Sequence, residues 1–475
     1  MKIFILLLYI ILVYAIGGFA SRYIKTTSDY LLGNRKLNTI TTAFGVGASD
    51  MSSWLMMALP GAILVYGLSK VWIALGLIIG AYINWTLVAK KLRQKTELHG
   101  NALTIPSYLS HRFGDNSNFI RIITGVILLI FFTLYASSGL TACAIIIHNE
   151  FGLDYKQALY IGAAIIVIYT SIGGFVAISW IDVFQGVLVL FSIIMVPMVI
   201  SNSLGGVEKT FDILATHELN FLNPFQGNSS LDIISMLGWG LGYFGQVHIL
   251  LRFMAAKSPD LISTARKICM TWMILALAGA VLVGLFGAAL FVNESLQNPE
   301  TVFLKSADLL FSPWISGILL AAVFSAIMST ISAQLLAASG AIVEDVSLRF
   351  SDYKVSDKTR LLLNRAAVLL ITLTATTIAS DPKSNILSLV AYAWAGLGSS
   401  FGPVIILSLY WDKMTKLGAI SGILTGCVTV ILWKNLVDHH VLSQVYEMIP
   451  AFGLSFLAII AGSYLERKYS HFHIK

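Results

Sequence analysis

Charge is scarce in this chain of 475 residues, where only 12% are Asp, Glu, Lys or Arg, about half the share of an ordinary globular domain. With 57% apolar residues and a mean hydropathy of +0.81, a soluble globular fold is excluded. Cysteine is nearly absent as well. Cys143, Cys269 and Cys427 lie in or at the ends of apolar stretches without CxxC spacing, which excludes a disulfide framework or a cysteine zinc site. Neither a low-complexity linker nor a polar stretch of domain size interrupts the sequence, so residues 1–475 read as one membrane domain.

What is present is a series of apolar stretches at 3–21, 39–65, 70–89, 122–147, 157–178, 183–202, 230–251, 268–292, 313–342, 366–380, 385–411, 417–433 and 448–465. Each is close to the roughly 20 residues that cross a bilayer. The pattern predicts an all-α polytopic membrane protein of about 13 transmembrane helices. With the N-terminus outside and the C-terminus cytoplasmic, 24 Lys and Arg fall in inner segments and 7 in outer ones, as the positive-inside rule requires. The net charge of +7 is then a topology signal, and no nucleic-acid partner is expected. The first stretch lacks a charged n-region of any size and reads as an uncleaved helix rather than a signal peptide. Asn228-Ser229-Ser230 matches a glycosylation acceptor too short to carry a function.

A carboxylate in mid-membrane costs about 2.5 to 3.5 kcal/mol on insertion scales, so it is retained where something offsets that cost. Asp50 is such a residue, within GVGASDMSSWLMMALPGA (45–62). Its glycine and serine neighbours weaken the second helix and free backbone carbonyls, which suits a hard monovalent cation; a carboxylate that merely ties two helices together would also fit. In the ninth stretch Ser325, Ser329, Thr330 and Ser332 cluster, with Ser325 and Ser329 on one face and Ala326 and Thr330 on another. Such hydroxyls can complete a sodium shell, although in membrane helices they more often bond their own i−4 carbonyl. The seventh stretch, GWGLGYFGQVHILLRF (238–253), alternates glycine with Trp239, Tyr243 and Phe244. Local unwinding there offers free amides and ring faces to a small zwitterion, and tight helix packing is the competing reading. Taken in isolation, Arg35 and Asp182 read as ordinary cytoplasmic loop charges, and His248 as structural. The GxxxG pairs at Gly76–Gly80 and Gly422–Gly426 read as close packing. Two interrupted helices five apart, the second and the seventh, are the pattern of a 5+5 inverted repeat that relates helices 2–6 to 7–11, with a core over roughly 39–411.

The stretches GVGASDMSSWLMMALPGA, IIGAYINWTLVAKKLR, FFTLYASSGL, YTSIGGFVAISWIDVFQG, GWGLGYFGQVHILLRFMAA, MSTISAQLL and AYAWAGLGSSFGPV closely resemble the sodium/solute symporter family, and within it the bacterial members that carry proline. The resemblance runs over nearly the whole chain. It implies a leucine-transporter-like fold and a sodium-coupled transporter of the bacterial inner membrane that is not an enzyme, needs no cofactor beyond Na+ as coupling ion, sits in lipid and takes L-proline. It further implies a sodium site at Ala48, Met51, Ala326, Ser329 and Thr330. Asp50, Arg35 and Asp182 resemble the family's coupling and ion-release residues. Ser52, Tyr135, Trp239 and Tyr243 resemble its substrate pocket. Val247 and Ser53 stand where the proline carriers have proline and glycine, and Val247 lies beside that pocket. Another small zwitterion, or a sensor built on the same scaffold, are the alternatives; a sensor would carry a signalling domain after the last helix, where ten residues follow Leu465.

Overall fold

The structure, a computed structural model, describes residues 1–217, 220–294, 296–347, 355–381, 385–436 and 445–472. Arg349, Lys354, Lys383 and Lys475, counted in the charge asymmetry, lie outside the described residues. In chain order the helices are α1 (Lys2–Ser21), α2 (Thr27–Leu32), α3 (Thr39–Asp50), α4 (Leu59–Tyr66), α5 (Val71–Ile83), α6 (Lys90–Leu98), α7 (Ile105–Arg112), α8 (Phe119–Phe151), α9 (Tyr155–Ser203), α10 (Val207–His217), α11 (Ser230–Gly238), α12 (Val247–Met254), α13 (Ile262–Leu290), α14 (Val302–Leu310), α15 (Pro313–Gly340), α16 (Asp357–Ile378), α17 (Ile386–Tyr410), α18 (Lys416–Leu436) and α19 (Met448–Phe472). Among the described residues the β-type pairing is one isolated bridge, Leu37 with Ala256.

Ten of these helical stretches are long and apolar enough to cross a membrane, or eleven when the pair Ser230–Phe244 and Val247–Met254, bent by 43°, counts as one span. The difference from the 13 expected has identifiable sources. The chain from Trp54 to Leu98 and the chain from Tyr155 to Ser203 each run on where two spans were expected. In α9 the expected division near 178–183 is replaced by a bend at Gly174, whose φ of 50° and ψ of −166° break the helical path without ending it. The second apolar stretch is itself interrupted, since α3 stops at Asp50 after 12 residues.

Burial sorts the helices into a centre and a rim. The apolar window of α15 is 89% buried and that of α17 78%, against 33% for α1 and α19. A helix apolar on every side belongs in the interior, and α15 packs there against α9, α8, α1 and α3. Small residues set the tightest approach. A Cβ on Gly80 of α5 would sit 2.1 Å from the carbonyl oxygen of Gly240, so the backbones of α5 and the segment after α11 touch directly.

Candidate functional site

The site forms where two interrupted helices face α15. Helix α3 starts under an Asn38 cap, whose Oδ1 accepts from the Thr41 amide at 2.9 Å, and stops at Asp50, where Met51 turns out of the helix (φ −89°, ψ 79°). A π-helical segment, Trp54–Ala58, then resumes the path. Glycine and serine make the stop inexpensive, and the Trp54 indole donates to the Asp50 carbonyl at 3.2 Å.

On the α15 side the Ser329 hydroxyl donates to the carbonyls of Ala48 at 2.8 Å and Ala326 at 3.1 Å. The Thr330 hydroxyl reaches Ala326 at 3.2 Å and Ala48 at 3.5 Å. Ala48, Ala326, Ser329 and Thr330 are all buried and form one knot of neutral oxygens between α3 and α15. Met51 is buried one residue past the end of α3. These oxygens are of the kind and density that a small monovalent cation requires.

The second interruption carries the aromatic residues. After α11 the chain winds as a 3-10 segment, Trp239–Phe244, then opens at Gly245 and Gln246 before α12 begins at Val247. Trp239 stacks on Tyr446 with ring centres 5.3 Å apart. Tyr243 stands edge-on to Trp394 at 5.2 Å, and Tyr135 does so at 6.4 Å. Trp394 in turn donates its indole N–H to the Trp239 carbonyl at 2.8 Å, and its own carbonyl accepts from Gln246 at 3.2 Å. Ser52 lies beside the Tyr135 hydroxyl, and Val247 is buried at the first position of α12. The structure thus ties Ser52, Tyr135, Trp239 and Tyr243 together through Trp394, while Val247 is buried just past the opening. Tyr243 also links the two interruptions, because its hydroxyl donates to Asp50 Oδ2 at 2.5 Å.

Asp182 is not a loop charge. It lies inside α9, fully buried, with Arg252 Nη2 2.8 Å away. Arg252 Nη1 donates to Ser179 at 2.6 Å, and the guanidinium rests over the Phe175 ring at 4.5 Å. Arg35 stands apart from both the oxygen knot and the aromatic layer. It donates to the Met254 carbonyl at the end of α12 (2.6 Å), to the Ala102 carbonyl (2.8 Å) and to Asn101 (2.9 Å), closing a helix C-terminus as a cation there should. Burial, then the neighbouring Arg93, pulls its pKa down to about 10, which leaves it a cation at neutral pH. His248 packs edge-on against Phe132 and Tyr135 at 5.7 and 6.1 Å.

Four residues escaped the reading of the sequence, three of them around the site. Arg252 is needed once Asp182 is known to be buried; Trp394 and Gln246 hold the opened segment in place. Each lies in a stretch already conspicuous in the sequence, yet only the fold shows what it touches. Glu300, in the connection between α13 and α14, also went unnoticed. It accepts from the Leu387 amide at 3.4 Å, and burial moves its pKa from an ordinary 4.5 to about 7.

Interrupted helices that meet around a buried carboxylate, carbonyls and ring faces define an ion-coupled secondary transporter. Known proteins agree on which kind. The chain belongs to the Sodium:solute symporter family, whose model matches residues 30–426, a family of transporters rather than enzymes. It is 46% identical over 456 residues to the sodium/proline symporter of Salmonella typhimurium, covering 95% of this chain and 90% of that one. It is 45% identical over 452 residues to the high-affinity proline transporter PutP of Bacillus subtilis, covering 95% of each. In shape it matches a Na+-coupled sialic acid symporter solved in a substrate-bound outward-open state, with a TM-score of 0.82 over 98% of both chains at 17% identity. That likeness gives the leucine-transporter-like fold.

Proposed function

We propose that the protein imports L-proline together with sodium. The observation that carries this reading is the identity of 45–46% along 95% of the chain with carriers named for proline. The interrupted helices add support, for they set carbonyls and hydroxyls on one side of a carboxylate and ring faces on the other. In this reading Ala48, Met51, Ala326, Ser329 and Thr330 hold sodium, while Asp50 supplies the charge that makes the place attractive to a cation. Tyr135, Trp239, Tyr243, Ser52 and Val247 surround the solute, and Arg35 and Asp182 serve coupling and ion release on the inner side.

The chain is one transporter domain with its repeat core over roughly 39–411. Dividing Trp54–Leu98 at Gly67 and Tyr155–Ser203 at Gly174, and joining α3 to α4, yields 13 spans. The N-terminus is then outside and the C-terminus cytoplasmic in a bacterial inner membrane, and helices 2–6 and 7–11 are the inverted halves. For one sodium per solute, about 2.3 kcal/mol per 100 mV and about 1.4 kcal/mol per tenfold gradient give about 3.7 kcal/mol, enough to hold the solute about 500-fold higher inside.

Uptake of radiolabelled proline into proteoliposomes under an imposed sodium gradient, challenged by a panel of unlabelled amino acids, tests the reading. Sodium-dependent uptake in which proline competes best is the expected result. A different small zwitterion is the second reading, and Val247 favours it, because a backbone donor and a β-branched side chain stand at the pocket where the proline carriers have proline. Val247→Pro is expected to tighten proline uptake or leave it unchanged while weakening competition by other zwitterions.

A further inference from the structure

Helix α6 carries KKLRQKTEL at the end of the long helical run from Trp54 to Leu98, just past the π-helical segment that begins at Asn84. Its cations are of two kinds. Arg93 is buried, donates to the Ala256 carbonyl at 2.6 Å and pairs with Glu97 at 2.6 Å, while Lys90 reaches Asp260 at 3.7 Å. Lys91 and Lys95 lie one turn apart on the face opposite Arg93, and neither forms an ion pair with a carboxylate among the described residues. The Lys91 ammonium lies over the Tyr410 ring, 3.4 Å from its centre. That ring is itself held, because the Tyr410 hydroxyl donates to the Leu87 carbonyl at 2.7 Å.

Both lysines line a surface cleft of about 680 Å³ between α6 and the end of α17, together with Gln94, Leu98, Tyr410 and Asp412. The two carboxylates at the cleft are already engaged, Glu97 by Arg93 and Asp412 by Arg112 at 3.5 Å. The cleft therefore presents two ammonium groups and an amide whose charge the chain does not counter, which suits an anion.

The surroundings decide what kind of anion. One turn before Lys91, Leu87 is 43% exposed, and Tyr410 and Leu98 are 46% and 77% exposed. Apolar side chains beside cations at the end of a spanning helix mark the boundary between hydrocarbon and headgroups, where lysine stems lie along apolar surface and their ammonium groups meet phosphate. A free anion answers the charge and leaves the apolar surface bare, whereas a lipid covers both. We propose that the cleft between α6 and α17 binds one anionic phospholipid, its phosphate held by Lys91 and Lys95 and an acyl chain laid along Leu87. Placing that lipid in the inner leaflet rests on the proposed topology; the cleft itself is separate from the oxygen knot and the aromatic residues.

The test is thermal unfolding of the purified full-length protein in detergent supplemented with phosphatidylglycerol or with phosphatidylcholine of the same acyl chains, choline replacing sodium so that ion binding contributes nothing. Phosphatidylglycerol is expected to raise Tm and phosphatidylcholine to leave it unchanged. Lys91→Gln/Lys95→Gln should raise the half-maximal phosphatidylglycerol fraction about thirtyfold. Lys25→Gln/Lys267→Gln removes the same charge from exposed lysines elsewhere and should leave that fraction at the parent's value. Tm without lipid reports whether each variant folds, and where the Lys91/Lys95 pair does not, Lys95→Gln alone, with about a fivefold effect, decides. Equal effects of the two lysine pairs, or of the two lipids, would reduce the cleft to diffuse charge and overturn the proposal. A rise in Tm with glycerol 3-phosphate equal to that with the lipid would assign the cleft to a free anion and overturn it as well. Failure of proline to compete in uptake would leave this readout untouched, so the two ideas fail separately.

Discussion

Asp50 and Asp182 are buried to the same degree in the same bundle, and the chain treats them in opposite ways. Asp182 is neutralised from within, by Arg252 at 2.8 Å with Ser179 and Phe175 holding the guanidinium. Asp50 receives one hydroxyl, from Tyr243, and no protein cation among the described residues. A carboxylate with a resident partner keeps its charge countered when no ion is near, so Asp182 can fasten α9 and still lie on a route by which an ion leaves. A carboxylate without one makes the stability of its surroundings depend on an ion from outside. The same residue type thus serves as fastener in one place and as receptor in the other, and the cation alone tells them apart.

The largest effect is expected at the fastener. Arg252→Leu leaves Asp182 buried and alone, a loss of about 3 to 5 kcal/mol, enough to abolish expression of folded protein in the membrane. Arg252→Leu/Asp182→Asn should restore most of it, because removing both charges removes the penalty. Fluorescence-detected size exclusion of the two variants measures the difference, and equal yields would break the comparison.

At the receptor the expected pattern is reversed. Asp50→Asn keeps the volume and loses the charge, so the variant should fold with Tm in choline within about 4 °C of the parent but lose sodium-stimulated uptake. Uptake and sodium dependence equal to the parent's would remove Asp50 from ion coupling.

A smaller change is expected where the oxygens are neutral. Ser329→Ala and Thr330→Val each remove one hydroxyl and should raise the sodium concentration for half-maximal uptake about tenfold, about 1.4 kcal/mol. Apparent solute affinity should fall with it, since coupling between two ligands is reciprocal. Unchanged sodium dependence in both would return these hydroxyls to helix packing.

The smallest effect concerns Glu300, a third way of handling a buried acid. Its carboxyl keeps a proton up to about 7 in the folded protein and releases it near 4.5 when unfolded. The native state then binds more protons between those values, and stability falls as pH rises through that window. Glu300→Gln should flatten this slope, which thermal unfolding from pH 4.5 to 8 measures; an identical slope in the variant would show that other groups set it.

Much of this contrast was legible in the residues. Gly45, Gly47, Ser49, Ser52 and Ser53 around Asp50 announced an interrupted helix, and α3 does stop at Asp50. The glycines from 238 to 245 announced the second interruption, which opens at Gly245 and Gln246. Both signals are local, because backbone freedom is a property of the residue that carries it. The helix count was less legible: hydropathy does not distinguish a glycine that ends a helix from Gly174, which bends one and lets it continue. Partnership was not legible at all. Asp182 and Arg252 are 70 residues apart, and only the fold brings the two side chains together at 2.8 Å.

The contact between Gly80 and Gly240 fixes how these parts can move. With no side chain between them, α5 and the 3-10 segment meet backbone to backbone, and such a seam has no side chains to slide or repack. Any rocking of the segment that carries Trp239 and Tyr243 therefore drags α5 along, and Asn84 rides at its end. A close backbone seam of this kind favours movement of the two segments as one piece, with any hinge expected outside it.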